Sequence, residues 1–182
     1  PPTGSPQAGG TDPDAWEPMV AVRRIDAMTW SAPLRVAPTP TRADCHPALG
    51  ASADGTLVCA WDSRALSSSG TSPVIRAATS TDRGATWSTP TSIASGQVAV
   101  AGNLHQRANG TYYQPAYIRV AGFWKAGAYT ATDPTGAWTA APDVYVPAGS
   151  DATEWDLAAV SAANWIAITR RQPPAAPRGV DH

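Results

Sequence analysis

One eight-residue turn motif, Ser80-Thr81-Asp82-Arg83-Gly84-Ala85-Thr86-Trp87, constrains the fold of this chain more than any other feature. Its end recurs. Thr86-Trp87-Ser88-Thr89-Pro90 matches Thr29-Trp30-Ser31-Ala32-Pro33, and Ala137-Trp138-Thr139-Ala140-Ala141-Pro142 is a weaker copy with one extra residue before the proline. The tryptophans fall 57 and 51 residues apart (87 − 30 and 138 − 87). A period of about fifty residues is the size of one four-stranded propeller blade.

The motif has a physical logic. Ser80, Asp82 and Thr86 carry short polar side chains that bond the backbone of a tight turn. Gly84 supplies a positive φ, and Trp87 offers a large ring to bury between adjacent sheets. The copy Ala131-Thr132-Asp133-Pro134-Thr135-Gly136-Ala137-Trp138 keeps the spacing from Asp133 to Trp138 but moves the glycine and loses the threonine before the tryptophan. The copy ending at Trp30 keeps little beyond Thr29 and Trp30.

The segments between the repeats read as strands joined by hairpin turns at Ala53-Asp54-Gly55, at Ala108-Asn109-Gly110 and at 162–164. Residues 45–50, 56–61, 74–80 and 86–93 make one four-stranded unit. Residues 98–106, 111–120, 126–131 and 137–146 make the next. The stretches 154–160 and 165–170 open a further unit, and 19–24 and 29–36 are the outer half of a preceding one. No segment of helical period stands out. The expected fold is therefore all-β, built of propeller blades of four antiparallel strands, about three blade equivalents in total. A ring uses about four to eight blades, so further blades or other protein chains are expected to complete it.

Residues 1–16 are rich in Pro and Gly and read as a flexible lead-in, 17–171 as the blades, and 172–182 as a Pro-rich tail. The net charge is −1, charged residues are 15% of the chain and Lys125 is its single lysine, so no basic field is present to attract nucleic acid. No run of eighteen apolar residues exists, and no membrane insertion is expected. Eight tryptophans stand against one phenylalanine, a bias that suits either a recurring structural position or sugar contact.

The turn motif matches the Asp-box pattern S-x-D-x-G-x-T-W, and through it the chain resembles the sialidases and related bacterial neuraminidase-repeat (BNR) propellers. Such turns lie on the rim in that family and have structural meaning only. A second resemblance runs through Asp44-Cys45-His46-Pro47-Ala48-Leu49 and Asp54-Gly55-Thr56-Leu57-Val58-Cys59-Ala60-Trp61-Asp62-Ser63-Arg64, which is similar to the first sialidase blade. Cys45 stands where that blade carries its first carboxylate-binding arginine, and Arg42, three residues upstream, is not expected to replace it. A third is the interval of 16 residues from Glu154 to Arg170. In the family such a glutamate polarises the catalytic tyrosine and such an arginine grips the sialic acid carboxylate, so the resemblance implies Glu154 and Arg170 as catalytic remnants. The planar guanidinium suits that grip. Besides Cys45 in place of the first arginine, two features depart from the enzyme pattern. The loop at 67–73, where the acid/base Asp would lie, holds no carboxylate. The nucleophilic tyrosine and third arginine of the family belong to blades later than this sequence.

Other residues invite both a structural and a functional reading. Asp62 and Arg64 project the same way from one strand, as candidate ligand contacts or as an internal ion pair. Trp124, beside the turn at Ala121-Gly122, is a candidate sugar platform, and Trp165 reads as core. Tyr112, Tyr113 and Tyr117 read as strand packing, and His105 as a hydrogen-bonded structural residue. Cys45 and Cys59 flank the first hairpin nearly opposite one another, which suits a disulfide; two buried free thiols are the alternative. His46 should point to the opposite face from Cys45, so no metal site is expected there, and no cofactor is implied.

The expected function is a non-catalytic sialidase-like module. It would bind cell-surface glycan or pack within an extracellular or virion-associated assembly such as a phage tail or fibre. The alternative is a fragment of an exo-acting sialidase-type glycoside hydrolase.

Overall fold

The computed structural model describes residues 17–23, 26, 28–37, 42–65, 73–142, 151–160 and 164–172. The lead-in at 1–16, the loop at 66–72 and the tail from 173 onward fall outside these residues. The described part is all-β, and every pairing in it is antiparallel.

The first sheet pairs β1 (Met19–Val20) with β2 (Leu34–Arg35). The second is a four-stranded meander of β3 (Arg42–Ala51), β4 (Leu57–Ala65), β5 (Val74–Ser80) and β6 (Thr91–Ser95). The third runs from β7 (Val98–Val100) and β8 (His105–Gln106) through β9 (Tyr112–Val120) and β10 (Phe123–Ala131) to β11 (Thr139–Ala140). Because β7 and β8 both pair β9, they share one strand position, and this sheet too is four strands wide. The fourth sheet pairs β12 (Asp151–Ala159) with β13 (Trp165–Gln172). These sheets are successive propeller-like blades that do not close into a ring.

Burial explains their stacking. Strand β4 is buried on both faces because each face meets a neighbouring sheet. Val58 and Ala60 join Ile75, Val98, Val100, Leu104 and Tyr112 between the second and third sheets. The alternate residues Cys59 and Trp61 join Val36 and Ala37 between the first and second. Strand β9 repeats the device: Tyr112 turns toward the second sheet, and Tyr113 packs with Ala152 and Trp155 of the fourth.

The Asp-box turn forms as its residue types dictate. The Asp82 carboxylate accepts from the Thr86 hydroxyl at 2.6 Å, the Thr86 N–H at 2.8 Å and the Ser80 hydroxyl at 2.8 Å. Gly84 sits at φ 87° and donates to Ser80 Oγ. In the degenerate copy Asp133 Oδ1 accepts from the Thr135 N–H and hydroxyl, each at 2.8 Å. Trp87 and Trp138 each donate the indole N–H back into the turn, to the carbonyls of Gly84 and Pro134 at 3.2 Å. The serine after Trp87 and the one after Trp30 share one task. Ser88 accepts from Thr79 N–H and donates its own N–H to the Thr79 carbonyl, and Ser31 does the same with Val22.

Three expectations need correction here. Trp87 packs against the cluster between the first two sheets and Trp138 against that between the next two, but Trp30 is 65% exposed, covered only by Arg23 at 5.5 Å. Each ring is a wedge toward the sheet before it, and no sheet precedes Trp30 among the described residues. The strand expected at 98–106 is broken at residues 101–104, and the strand expected at 86–93 starts only at Thr91, because the turn and its Trp-Ser bridge occupy the residues before it.

Candidate functional site

The innermost strand of three consecutive sheets is interrupted at one level. Strand β3 shifts register between Cys45 and Ala48, with His46 at φ 50° and Pro47 unable to donate a ladder bond. The third sheet leaves its inner position between β7 and β8. Strand β12 shifts register between Thr153 and Trp155, with Glu154 also at φ 50°. Bulges of this kind re-aim side chains and gather at functional sites.

The interruptions surround a cleft of about 690 Å³ whose polar wall is His46, Asn103, Tyr117, Glu154 and Asp156. Gly102 is what lets the fourth sheet approach. A Cβ there would lie 2.5 Å from the Trp155 carbonyl oxygen and 2.6 Å from Asp156 Oδ1, so any larger residue would push β12 away.

Beneath the cleft lies Asp62, whose side chain is fully buried. Its Oδ1 is 2.8 Å from His46 Nδ1, and its Oδ2 has the Arg64 guanidinium at 3.5 Å, an ion contact without hydrogen-bond geometry. The hydrogen bond from Asp62 raises the His46 pKa above its ordinary value, against the opposing effect of burial. Burial first, then the negative charges of Asp62 and Glu154, push the Tyr117 hydroxyl upward. Trp124 stands edge-on to Tyr117 with ring centres 5.2 Å apart. On the far wall Asp156 accepts from Leu157 N–H at 2.8 Å and Asn103 Nδ2 at 3.2 Å, and its Oδ1 lies 3.1 Å from His105 Nε2. Arg170 donates to Glu154 at 2.7 Å at the solvent margin, with both side chains more than half exposed. The bulge makes that contact: Thr153 already pairs Arg170 across the ladder, and Glu154 is the extra residue beside it.

Sequence reasoning named some of these residues and missed others. Of Asp62, Arg64, Glu154 and Arg170, only Glu154 lines the cleft; Arg170 pairs with it, and Arg64 faces Asp62. Asp62, however, is sealed from solvent and reaches a ligand only through His46. Trp124 backs Tyr117 and is not part of the cleft wall, so its platform role is not what this geometry offers. Arg42 binds Ser63 Oγ at 2.6 Å and the Ser63 carbonyl at 2.8 Å, on the sheet face opposite Asp62 and Arg64. His105 is hydrogen-bonded, and Trp165 packs edge-on against it at 5.4 Å.

Of the two readings of the cysteine pair, the structure has the free thiols and not the disulfide. Cys45 pairs with Asp62 and Cys59 with Leu49, and both thiols are free. The hairpin closes with Ser52 N–H on the Thr56 carbonyl, and the register it sets, Ala51 opposite Leu57, leaves the two cysteines apart. Cys59 faces a residue four places along β3 from Cys45, or about 13 Å, well beyond disulfide reach. The same bulge frees His46 from strict alternation and brings it to Asp62. Among the described residues no three His, Cys, Asp or Glu side chains gather so as to hold a metal ion, and no helix is long and apolar enough to cross a membrane.

His46, Asn103, Tyr117 and Asp156 were not singled out as site residues. A signal existed for two of them. Pro47 inside an expected inner strand and Gly102-Asn103 inside another are both marks of broken pairing.

The family described as the BNR repeat-like domain matches residues 7–173. No curated protein matches the chain. Among solved structures, a protein of unknown function from Dyadobacter fermentans DSM 18053 superposes with a TM-score of 0.66 at 17% identity, covering 79% of this chain and 48% of that one. The chain thus spans about half the length of that neighbour, and the likeness concerns the fold.

Proposed function

Since this chain belongs to the BNR repeat-like domain family, we propose that it is a sialidase-like propeller segment whose cleft binds a glycan without hydrolysing it. The observation that carries this reading is the coincidence of three broken inner strands, which brings His46, Asn103, Glu154 and Asp156 to one cavity beside Tyr117 of β9. Carboxylates, an amide, an imidazole and a phenol form a set of acceptors and donors matched to sugar hydroxyls. Ala48, Ala101 and Ile168 add apolar wall for the C–H faces of a ring.

Two observations favour binding over hydrolysis. Tyr117 is held toward its protonated form, so it donates a hydrogen bond and is a poor nucleophile. Asp62 is buried and bonded to His46, out of reach of a glycosidic oxygen that an acid/base carboxyl must touch. The setting this implies is one where glycans are displayed, outside a cell or on a virion surface. Further sheets, in the same protein or in other chains, would complete the ring.

The second reading, a piece of an exo-acting sialidase-type hydrolase, is favoured by the Glu154–Arg170 hydrogen bond at the mouth of the cleft. A glycan-array screen with light scattering on the same sample tests both. Glycan capture that is lost in Tyr117→Phe and His46→Ala, with no sugar released, supports the binding module. Release of free sugar would favour the hydrolase, and absence of any capture would refute a glycan site.

A further inference from the structure

The charges around the cleft point to a class of ligand, an inference that rests on the glycan reading above. Among the described residues no arginine or lysine lines the wall, whereas Glu154 and Asp156 both do. Two guanidinium groups beside the cleft each already face a carboxylate. Arg170 is bound to Glu154 at 2.7 Å, and Arg64 faces buried Asp62 at 3.5 Å. His46 shares that same Asp62. Asp156 is met by the N–H of Leu157, the Asn103 amide and His105, and among the described residues by no arginine or lysine.

We propose that the cleft selects neutral sugars and rejects those bearing a carboxylate. An acidic sugar would bring its charge against two wall carboxylates and meet no uncommitted guanidinium or ammonium among the described residues. Like charges at such range in a partly shielded cleft repel strongly enough to govern selection. A neutral pyranose loses nothing by this arrangement. Its hydroxyls donate to Glu154 and Asp156, and Asn103 and Tyr117 can donate or accept in return. Selectivity then comes from what the wall repels as much as from what it binds.

The test is titration calorimetry of the purified chain with neutral oligosaccharides that score on the array, each beside its sialylated or uronic-acid counterpart. The neutral member should bind roughly tenfold or more tightly than its acidic partner, and higher salt should narrow that gap by screening the repulsion. Glu154→Gln removes one wall carboxylate and releases Arg170, so it should shift the ratio toward the acidic sugar by roughly tenfold. Asp156→Asn should shift it the same way, and circular dichroism shows whether each variant keeps its sheets. The inference is overturned if the native chain prefers the acidic member, or if both variants leave the ratio unchanged. If no sugar of either kind binds, the glycan reading itself falls, a result distinct from binding with the opposite preference.

Discussion

Replacing Trp155 probes the joint on which the candidate site depends. The side chain is 1% exposed. Its indole N–H donates to the Ala116 carbonyl at 2.7 Å, and its ring meets Tyr113 edge-on with centres 6.5 Å apart. It fills the seam between the third and fourth sheets, with Ala126, Ala128 and Ala152 around it. Trp155→Ala should cost about 3–5 kcal/mol, the usual range for emptying a buried aromatic site. Trp155→Phe keeps most of the apolar volume and loses the hydrogen bond, so about 1–2 kcal/mol is expected. Urea unfolding followed by far-ultraviolet circular dichroism measures both. Hydrogen exchange adds location, because the loss should loosen β12 and β13 while β3 to β6 stay protected. Glycan capture should fall in parallel, since Glu154 and Asp156 flank Trp155 on the same strand. A loss below about 1 kcal/mol in Trp155→Ala, or loosening spread evenly over all sheets, would refute the claim that this ring joins the fourth sheet to the third.

Three other outcomes follow from the geometry. Trp87→Ala should cost less, about 2–3 kcal/mol, because that ring is only half buried; a cost matching that of Trp155→Ala would mean that the first sheet covers it more fully. The Thr86 hydroxyl and N–H, with the Ser80 hydroxyl, hold Asp82 down to about 2 from an ordinary 3.8. A depressed carboxylate stabilises the fold above its unfolded value and loses that effect as pH falls toward its folded one, so melting temperature should drop between about pH 4 and pH 2 and Asp82→Asn should flatten the drop; parallel curves would sink the assignment. Burial pushes the Cys59 thiol up to about 12, so it should resist alkylation until the chain unfolds, and mass spectrometry of the oxidised native protein should find no 45–59 crosslink; such a crosslink would contradict the register of β3 on β4.

The architecture was largely legible in the sequence because it rests on local, repeated chemistry. Asp82, Gly84 and Trp87 specify a turn with their own side chains, and the turn recurs wherever enough of those types recur. Trp30 shows the limit of that argument: the same Trp-Ser backbone forms, yet burial of the ring depends on a neighbour that the local pattern does not contain. The site was legible only in part. The interval from Glu154 to Arg170 marked two side chains that do meet, but Tyr117 looked like any strand tyrosine, and its place at the cleft depends on how the third sheet packs beside the second and fourth. The cysteine pairing failed because the register that the turn at Ala53-Asp54-Gly55 imposes, plus one bulge, sets every partner on β3.

That failure and the site have the same cause. Strict alternation puts residues three apart on opposite faces of a strand. Ala152 and Trp155 are three apart, yet both bury in the seam between the third and fourth sheets. Cys45 and Ala48 are three apart, yet they pair with Asp62 and Ala60, which share one face of β4. In each strand the extra residue of the bulge reconciles the two, and it is a polar one held at φ 50°, Glu154 in β12 and His46 in β3. A left-handed conformation costs a residue of that kind roughly 1–2 kcal/mol. Core packing on both sides of the bulge offsets this: Ala152 and Trp155 hold one strand and Ala48 the other. A plain extended strand would avoid the strain, but it would then have to send Trp155 or Ala152 out to solvent. The two residues that break alternation are therefore held at the cleft by the same packing that builds the sheets, and a ligand would find them positioned before it arrives.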